Sequence, residues 1–431
     1  MSYITAGLLL MIAAFIFARE KKIYNPRVLF CGLWGILTII YSFRLYDLNE
    51  VSDYTFLVII IGTVCFLIGG TVRKKYKLSF STHFTKRYSD YELNHLFLMV
   101  WFGLVLAFSI STSRRTFALL ASGRTMDYIR FNYINLDEGV VLQSGFSYLF
   151  ENYCCTPSEF AGIALLPIVF GDRKNRKSKI VMAEIIAFLV FHFFVTGARS
   201  FIVDVILMML FFFLINSSLR KQWKEYFDKV PKIVWVAIVA AAVGFAAYTT
   251  TLRKGDDSVT REIYIYLAMA FPLLDIHLEM LRQSLDFTYG WTTLYGLLRP
   301  PFSMLHSLGF PYPAGLEHAM ELINANNIFY SLGGIAANSF VSIFYYWMMD
   351  LGWLSLIIGA FVYGYFAESM YRRMLESPNR RNQAVYLLVL IGLLLSFTRN
   401  HFTAFRYVYA FFIVLMSFRG KNKDYLEKLI K

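Results

Sequence analysis

Apolar residues in this chain gather into repeated runs of about 16–20. Each run is long enough to cross ~30 Å of hydrocarbon as a helix, whereas a membrane β-barrel would show weaker, alternating segments. The runs predict spans near 3–18, 27–43, 55–72, 94–111, 144–170, 180–197, 199–217, 233–250, 339–365, 384–398 and 403–418. The expected fold is therefore all-α: a polytopic integral membrane protein of about eleven transmembrane helices, with 1–431 as a single membrane domain. The first run has no basic residue before it and Arg19, Lys21 and Lys22 straight after, the reverse of a cleavable signal peptide. That order predicts an outside N-terminus, and an odd number of spans then puts the C-terminus inside.

Only one connection is long, roughly Thr251 to Asn338. A loop of that length is usually functional. Within it, AFPLLDIHLEMLRQSL places Leu274, Leu278, Leu281 and Leu285 on one helical stripe and Asp275, Glu279 and Arg282 on another. The pattern predicts an amphipathic helix lying on the outer membrane surface or packed over the bundle. Further on, Pro300, Pro301, Pro311 and Pro313 are expected to break regular structure. The loop, 251–338, is too short for a separate enzyme domain and belongs to the same unit.

Composition agrees with the pattern: 57% hydrophobic, 18% aromatic and only 16% charged, with a mean hydropathy of +0.51. Cys31 and Cys65 lie in spans and Cys154 and Cys155 in or beside another, so no disulfide framework is written here. The formal charge of +13 is concentrated rather than spread. Every second connection is basic, and these connections with the C-terminal tail hold 29 of the 42 Lys and Arg, which marks them as cytoplasmic and argues against a nucleic-acid partner. The other thirteen are twelve arginines and one lysine, at the outer ends of spans or in outer loops. Topology does not explain cations there. Arginine forks onto phosphate or carboxylate with paired donors, so the bias points to an anionic ligand on the outer face, with pairing to loop carboxylates as the structural alternative.

The candidate chemistry sits on that face. Arg199 occupies the turn VTGARSF between two very apolar runs, with Asp204 about 140° further round the helix and so serving another partner. GRTMDYIR spaces Arg124, Asp127 and Arg130 at three-residue intervals. Arg253 opens the long loop, and Arg299, Arg399 and Arg406 follow near span ends. Asp350 is a lone carboxylate in an apolar run, where a buried charge is usually paired or functional: structural pairing with an arginine in reach is expected, with a direct substrate role as the alternative. Nucleotide-binding glycine motifs, HExxH and paired CxxC are absent from the sequence, so neither metal nor cofactor is expected. Glu317, His318 and Glu321 offer ligand atoms on a helix, but a polar loop helix accounts for them as well.

Four segments resemble the bacterial oligosaccharide repeat-unit polymerases, the Wzy-type enzymes of O-antigen, capsule and exopolysaccharide. TGARSF resembles the family's Gly-small-Arg turn at Arg199, and YGWTTLYGLLRPP its arginine-proline segment at Arg299. NIFYSLGGIAANSFVSIFYYWMMDLGW resembles the Asn-rich approach to an Asp-x-Gly motif, here Asp350 and Gly352, and RNHFTAFRY resembles the arginine-bearing last hairpin. Leu308-Gly309-Phe310-Pro311 stands where the family often has Lys-Pro, and Ser355 replaces a glycine.

The resemblance implies a metal-independent glycosyltransferase in the bacterial cytoplasmic membrane. It would transfer a growing glycan from undecaprenyl diphosphate to the hydroxyl of an acceptor repeat unit. Its substrate would be an undecaprenyl-diphosphate-linked oligosaccharide, with membrane lipids, a chain-length regulator and a flippase of the same pathway as partners. Arg199, Arg299, Arg399, Arg406, Arg124, Arg130 and Arg253 would bind the diphosphate, with Asp350 and Asp204 in support. The general base would be His318 first, then Asp256 or Glu317. An O-antigen ligase-type enzyme and a transporter or flippase of lipid-linked sugars remain the alternatives.

Overall fold

A computed structural model describes residues 1–76, 90–126, 128–129, 141–142, 145–197, 200–216, 259–325, 330–332, 335–337 and 340–421. The described chain is almost entirely helical, with two short antiparallel strand pairs. Seven of its helices are long and apolar enough to cross a membrane, as a multi-pass membrane protein requires. The expected span 233–250 lies outside the described residues. Contacts divide the chain into two compact units, the first formed by 1–87, 263–382 and 389–409, the second by the rest.

The first unit opens with α1 (Ser2–Glu20) and α2 (Pro26–Ser42), packed as a hairpin. Asn25 starts α2 because its side chain accepts from the Arg27 N–H at 2.9 Å, and Pro26 at the first helical position has no N–H to orphan. Next, α3 (Asp53–Lys75) crosses a later helix, Trp353–Glu376, through reciprocal glycines. A Cβ on Gly69 would stand 2.0 Å from the Phe361 carbonyl, and one on Gly364 would stand 2.0 Å from that of Phe66. Only glycine allows two backbones to approach this closely. At one end of this pair buried Arg27 binds Glu20 at 3.1 Å and Glu368 at 3.4 Å, and Arg372 binds Glu368 at 2.8 Å. Trp34, Phe30, Phe66, Phe271 and Phe344 fill the middle of the unit with ring-on-ring contacts.

The second unit holds α4 (His95–Ala121), α5 (Gly145–Gly171), α6 (Arg176–Thr196) and α7 (Ser200–Ile215). A π-helical turn, Glu151–Cys155, interrupts α5. Gly197 takes φ 66° to end α6, the left-handed cap that glycine adopts without cost. Strand β1 (Asp90–Leu93) pairs antiparallel with Phe418–Lys421.

Three expectations change. The segment 339–365 is not one span: Gly352, at φ 60° and ψ −131°, separates α12 (Ser342–Leu351) from α13 (Trp353–Glu376). The stretch read as one long loop is mostly helical, as α8 (Val259–Ala268), α9 (Ala270–Ser284), α10 (Trp291–Ser307) and α11 (Ala314–Ala325). Residues 263–284 are themselves long and apolar enough to cross a membrane. Of the two placements expected for the amphipathic stripe of α9, packing against the rest of the unit is the one its burial fits. Leu274, Leu278 and Leu281 are buried within the unit, and Asp275 accepts from the Thr55 hydroxyl at 2.6 Å. Lastly, Pro300 and Pro301 do not break α10, which runs through them and leaves the carbonyls of Gly296 and Leu297 without their helical donors.

Candidate functional site

The site is built on α10. Its N-cap is Gly290, at φ 96°, which has no side chain to satisfy the first N–H groups of the helix. Asp350, from the end of α12 (Ser342–Leu351), does so instead. One of its oxygens accepts from the Gly290 N–H at 3.0 Å, the Thr292 N–H at 3.0 Å and the Thr288 hydroxyl at 2.6 Å. The other accepts from the Thr293 N–H at 3.1 Å and the Thr293 hydroxyl. Asp350 is 2% exposed. A carboxylate at a helix N-terminus meets both the unpaired donors and the positive end of the helix dipole. The expected arginine partner is therefore corrected: a helix N-terminus and threonine hydroxyls hold Asp350, because five donors already fill its lone-pair sites.

Along α10, Tyr295 and Gly296 are buried and Arg299 follows one turn on. Tyr295 packs with Leu316 and Ala319 of α11. The Arg299 guanidinium lies over the Tyr295 ring at 5.5 Å and over the Phe405 ring at 5.6 Å, within cation–π reach of both. Gly296 seats α10 on the 3-10 turn His401–Thr403, since its Cβ would stand 2.2 Å from the Phe402 carbonyl. That turn follows α14 (Arg380–Leu394) and precedes α15 (Phe405–Met416). Asn400 caps it, accepting from the Phe402 N–H at 3.1 Å.

Arg399 and Arg406 flank the same turn, and both are half-buried. Buried His401 lies between them in sequence and feels both charges. Burial above all, then the charges of Arg399 and Arg406, push its proton affinity down to about 3. The imidazole is thus neutral and adds no cation to the cluster. Arg299, distant in sequence and carried by α10, lies over Phe405 at the start of α15 and so beside the turn that Arg399 and Arg406 flank. Neither Arg299 nor Arg399 has an acidic partner among the described residues. Partly buried guanidinium groups without such partners form a site for a polyanion.

The remaining predicted residues fall elsewhere. Arg199, Arg130, Arg253 and Asp256 lie outside the described residues, as does Asp127. Arg124 belongs to the second unit, is exposed, and lies over the Tyr128 ring at 4.7 Å. Glu317 is exposed in the first turn of α11. His318, half-buried on the same helix, meets Asp286 at 2.9 Å, an imidazole–carboxylate pair absent from the predicted roles. Asp204 is buried in the second unit and feels the charge of Glu159.

The residues that sequence reasoning passed over are His401, Asp286 and a buried set in the second unit: Glu151, Glu159 and His192. His192 sits in IVMAEIIAFLVFHFF, so an ionisable group inside an apolar run was the available signal. Among the described residues no group of three His, Cys, Asp or Glu is placed to hold a metal ion. No family model, no curated protein and no solved structure matches this chain.

Proposed function

We propose that the protein polymerises lipid-linked oligosaccharide repeat units at the outer face of the bacterial cytoplasmic membrane, as a metal-independent glycosyltransferase. The observation that carries this reading is the gathering of Arg299, Arg399 and Arg406 around the His401–Thr403 turn. In the reaction an acceptor hydroxyl oxygen bonds to the donor's anomeric carbon, and the bond from that carbon to the diphosphate oxygen breaks. Polyprenyl diphosphate departs with the electron pair, and the hydroxyl proton passes to a base. Negative charge grows on the diphosphate as it leaves, and preorganised guanidinium groups stabilise it more there than in the ground state. His318, oriented by Asp286 at 2.9 Å, is the first candidate for the base, and Asp256 and Glu317 follow. Arg199 is assigned to the same diphosphate.

A second reading, transport of a lipid-linked sugar, is favoured by the ionisable groups buried in the helices of the second unit, where transporters place coupling sites. One experiment separates the two. The purified protein is reconstituted with a synthetic undecaprenyl-diphosphate oligosaccharide and no nucleotide, and products are resolved by length. A ladder of lengthening glycans supports the polymerase. Translocation with no new glycosidic bond overturns it in favour of transport, and a single transfer to a non-repeat acceptor identifies a ligase-type enzyme.

A further inference from the structure

The second unit carries ionisable groups that the arginine site does not use. His192, on α6, is 1% exposed and Glu151, on α5, is 2% exposed. The His192 Nε2 stands 2.7 Å from a Glu151 oxygen, and its Nδ1 stands 3.1 Å from a Glu159 oxygen. The π turn explains how both carboxylates reach one ring. Eight residues of regular helix would leave Glu151 and Glu159 about 80° apart. One extra residue absorbed in the turn Glu151–Cys155 reduces that to about 20°, so both face α6.

Proton counting makes this arrangement a binding site. Carboxylate oxygens only accept hydrogen bonds, so each contact with the imidazole needs its own proton. A neutral imidazole and two carboxylates share one proton, whereas two contacts need two. The triad therefore holds a proton taken from outside. Its surroundings supply no compensating cation among the described residues. From α4 come the buried hydroxyl side chains of Ser109, Thr112, Ser113 and Thr116, while Arg114 and Arg115 are exposed and Arg115 donates to the Val141 carbonyl at 3.1 Å. Within α5 the Cys155 thiol neighbours Glu151, and on α6 Glu184 lies two turns from His192. From α7 comes Asp204, buried near Glu159 and without a hydrogen-bond partner among the described residues. The second Glu151 oxygen is also buried without a partner. At 2.7 Å the Nε2 and the Glu151 oxygen are too close for a metal ion to bridge them, and among the described residues no group of three is placed to hold one. A proton fits.

We infer that Glu151, His192, Glu159 and Asp204 form an intramembrane proton-binding relay. Asp204 exchanges protons with Glu159, and His192 carries them to Glu151. In the step itself, the Glu159 carboxyl proton moves to Nδ1 while the Nε2 proton moves to Glu151. Glu159 is left as carboxylate, Glu151 becomes the acid, and the imidazole stays neutral with its proton on the other nitrogen. No electrons change hands. Thr196, whose hydroxyl donates to the His192 carbonyl at 3.1 Å, and Gly197 close α6 one turn beyond, so the relay lies next to the junction of α6 and α7.

The test uses the full chain in lipid nanodiscs, with 15N-histidine and 13C-glutamate, in neutral buffer. Of the seven histidines, one should show both ring nitrogens in contact with protons and coupled to two glutamate carboxyl carbons in the unsubstituted protein. That signal should vanish in His192→Gln and lose one coupling in Glu159→Gln. In Asp204→Asn the couplings should persist, while deuterium exchange at the imidazole slows several-fold. A wild-type signal with one bare nitrogen overturns the stored proton. Unchanged exchange in Asp204→Asn overturns the relay.

Discussion

Gly296 and Phe402 meet backbone to backbone: a Cβ built on Gly296 would stand 2.2 Å from the Phe402 carbonyl oxygen. This contact fixes the distance between the helix that carries Arg299 and the turn that Arg399 and Arg406 flank, and neither backbone can yield as a flexible side chain would. Gly296→Ala should therefore destabilise the protein by about 1–3 kcal/mol through overpacking, against the ~0.5–1 kcal/mol that alanine normally contributes in a helix. Gly103→Ala, with nothing within 4 Å of its Cβ, should be neutral or slightly stabilising. Thermal unfolding of the two variants in nanodiscs checks the pair, and equal melting temperatures would dismiss the contact.

Arg299 lies over Tyr295 and Phe405, so its plane matters as well as its charge. Arg299→Lys keeps the cation but loses the stacked fork, and should weaken binding of inorganic diphosphate by about tenfold, with Arg299→Ala weaker still. Calorimetric titration with diphosphate at fixed ionic strength measures this. A lysine variant that binds as tightly as wild type would reduce the site to a general positive field.

Asp350 accepts from three backbone N–H groups and two hydroxyls. Asp350→Ala removes the shared acceptor of three N–H groups and two hydroxyls, of which the Thr288 hydroxyl and the Thr292 N–H are buried, and should cost about 3 kcal/mol. Asp350→Asn retains one accepting oxygen and turns a donor toward Thr293, so a smaller loss of about 1–3 kcal/mol is expected. Denaturant unfolding of both variants tests the order, and equal losses would contradict this capping role.

His401 supplies a pH test. Folded, it takes up a proton only near pH 3, whereas its ordinary value is 6.5. Between those values the unfolded chain binds more protons than the folded one. Stability from this group is therefore complete above about 6.5 and falls as the pH drops through that window, by up to about 1.4 kcal/mol per pH unit. His401→Asn should flatten that part of the stability profile relative to wild type, and parallel profiles for the two proteins would contradict the burial of a neutral imidazole.

Much of the helical architecture was legible because each run announces itself locally. The runs read near 27–43, 180–197 and 384–398 coincide with helices Pro26–Ser42, Arg176–Thr196 and Arg380–Leu394, each started by an asparagine side chain. Asp350 was legible as an anomaly, but its partner was not. Thr288 to Thr293 lie about sixty residues away and offer backbone N–H groups, which no residue type advertises. The convergence of Arg299 with Arg399 and Arg406 was hidden for the same reason, since the contact that makes it is a glycine against a carbonyl. Composition misled at 263–284, where Asp275, Glu279 and Arg282 gave a polar stripe that the unit partly absorbs through Ser52 and Thr55. His192 and Glu151 carried the same signal as Asp350, a charge in apolar surroundings. Only the extra residue of the π turn brings them together, and sequence periodicity does not display it.

The Asp350 carboxylate ends one helix and begins another, and Gly352 lies two residues beyond it. Through it, α10 is clamped against rotation about its own axis at one end, while Gly296 is pinned nearer its middle. A helix fastened at two points behaves as a crank rather than a tether. Any tilt of the Ser342–Leu351 segment must turn Arg299 with it, so the aim of the arginine is set by a residue that never touches it.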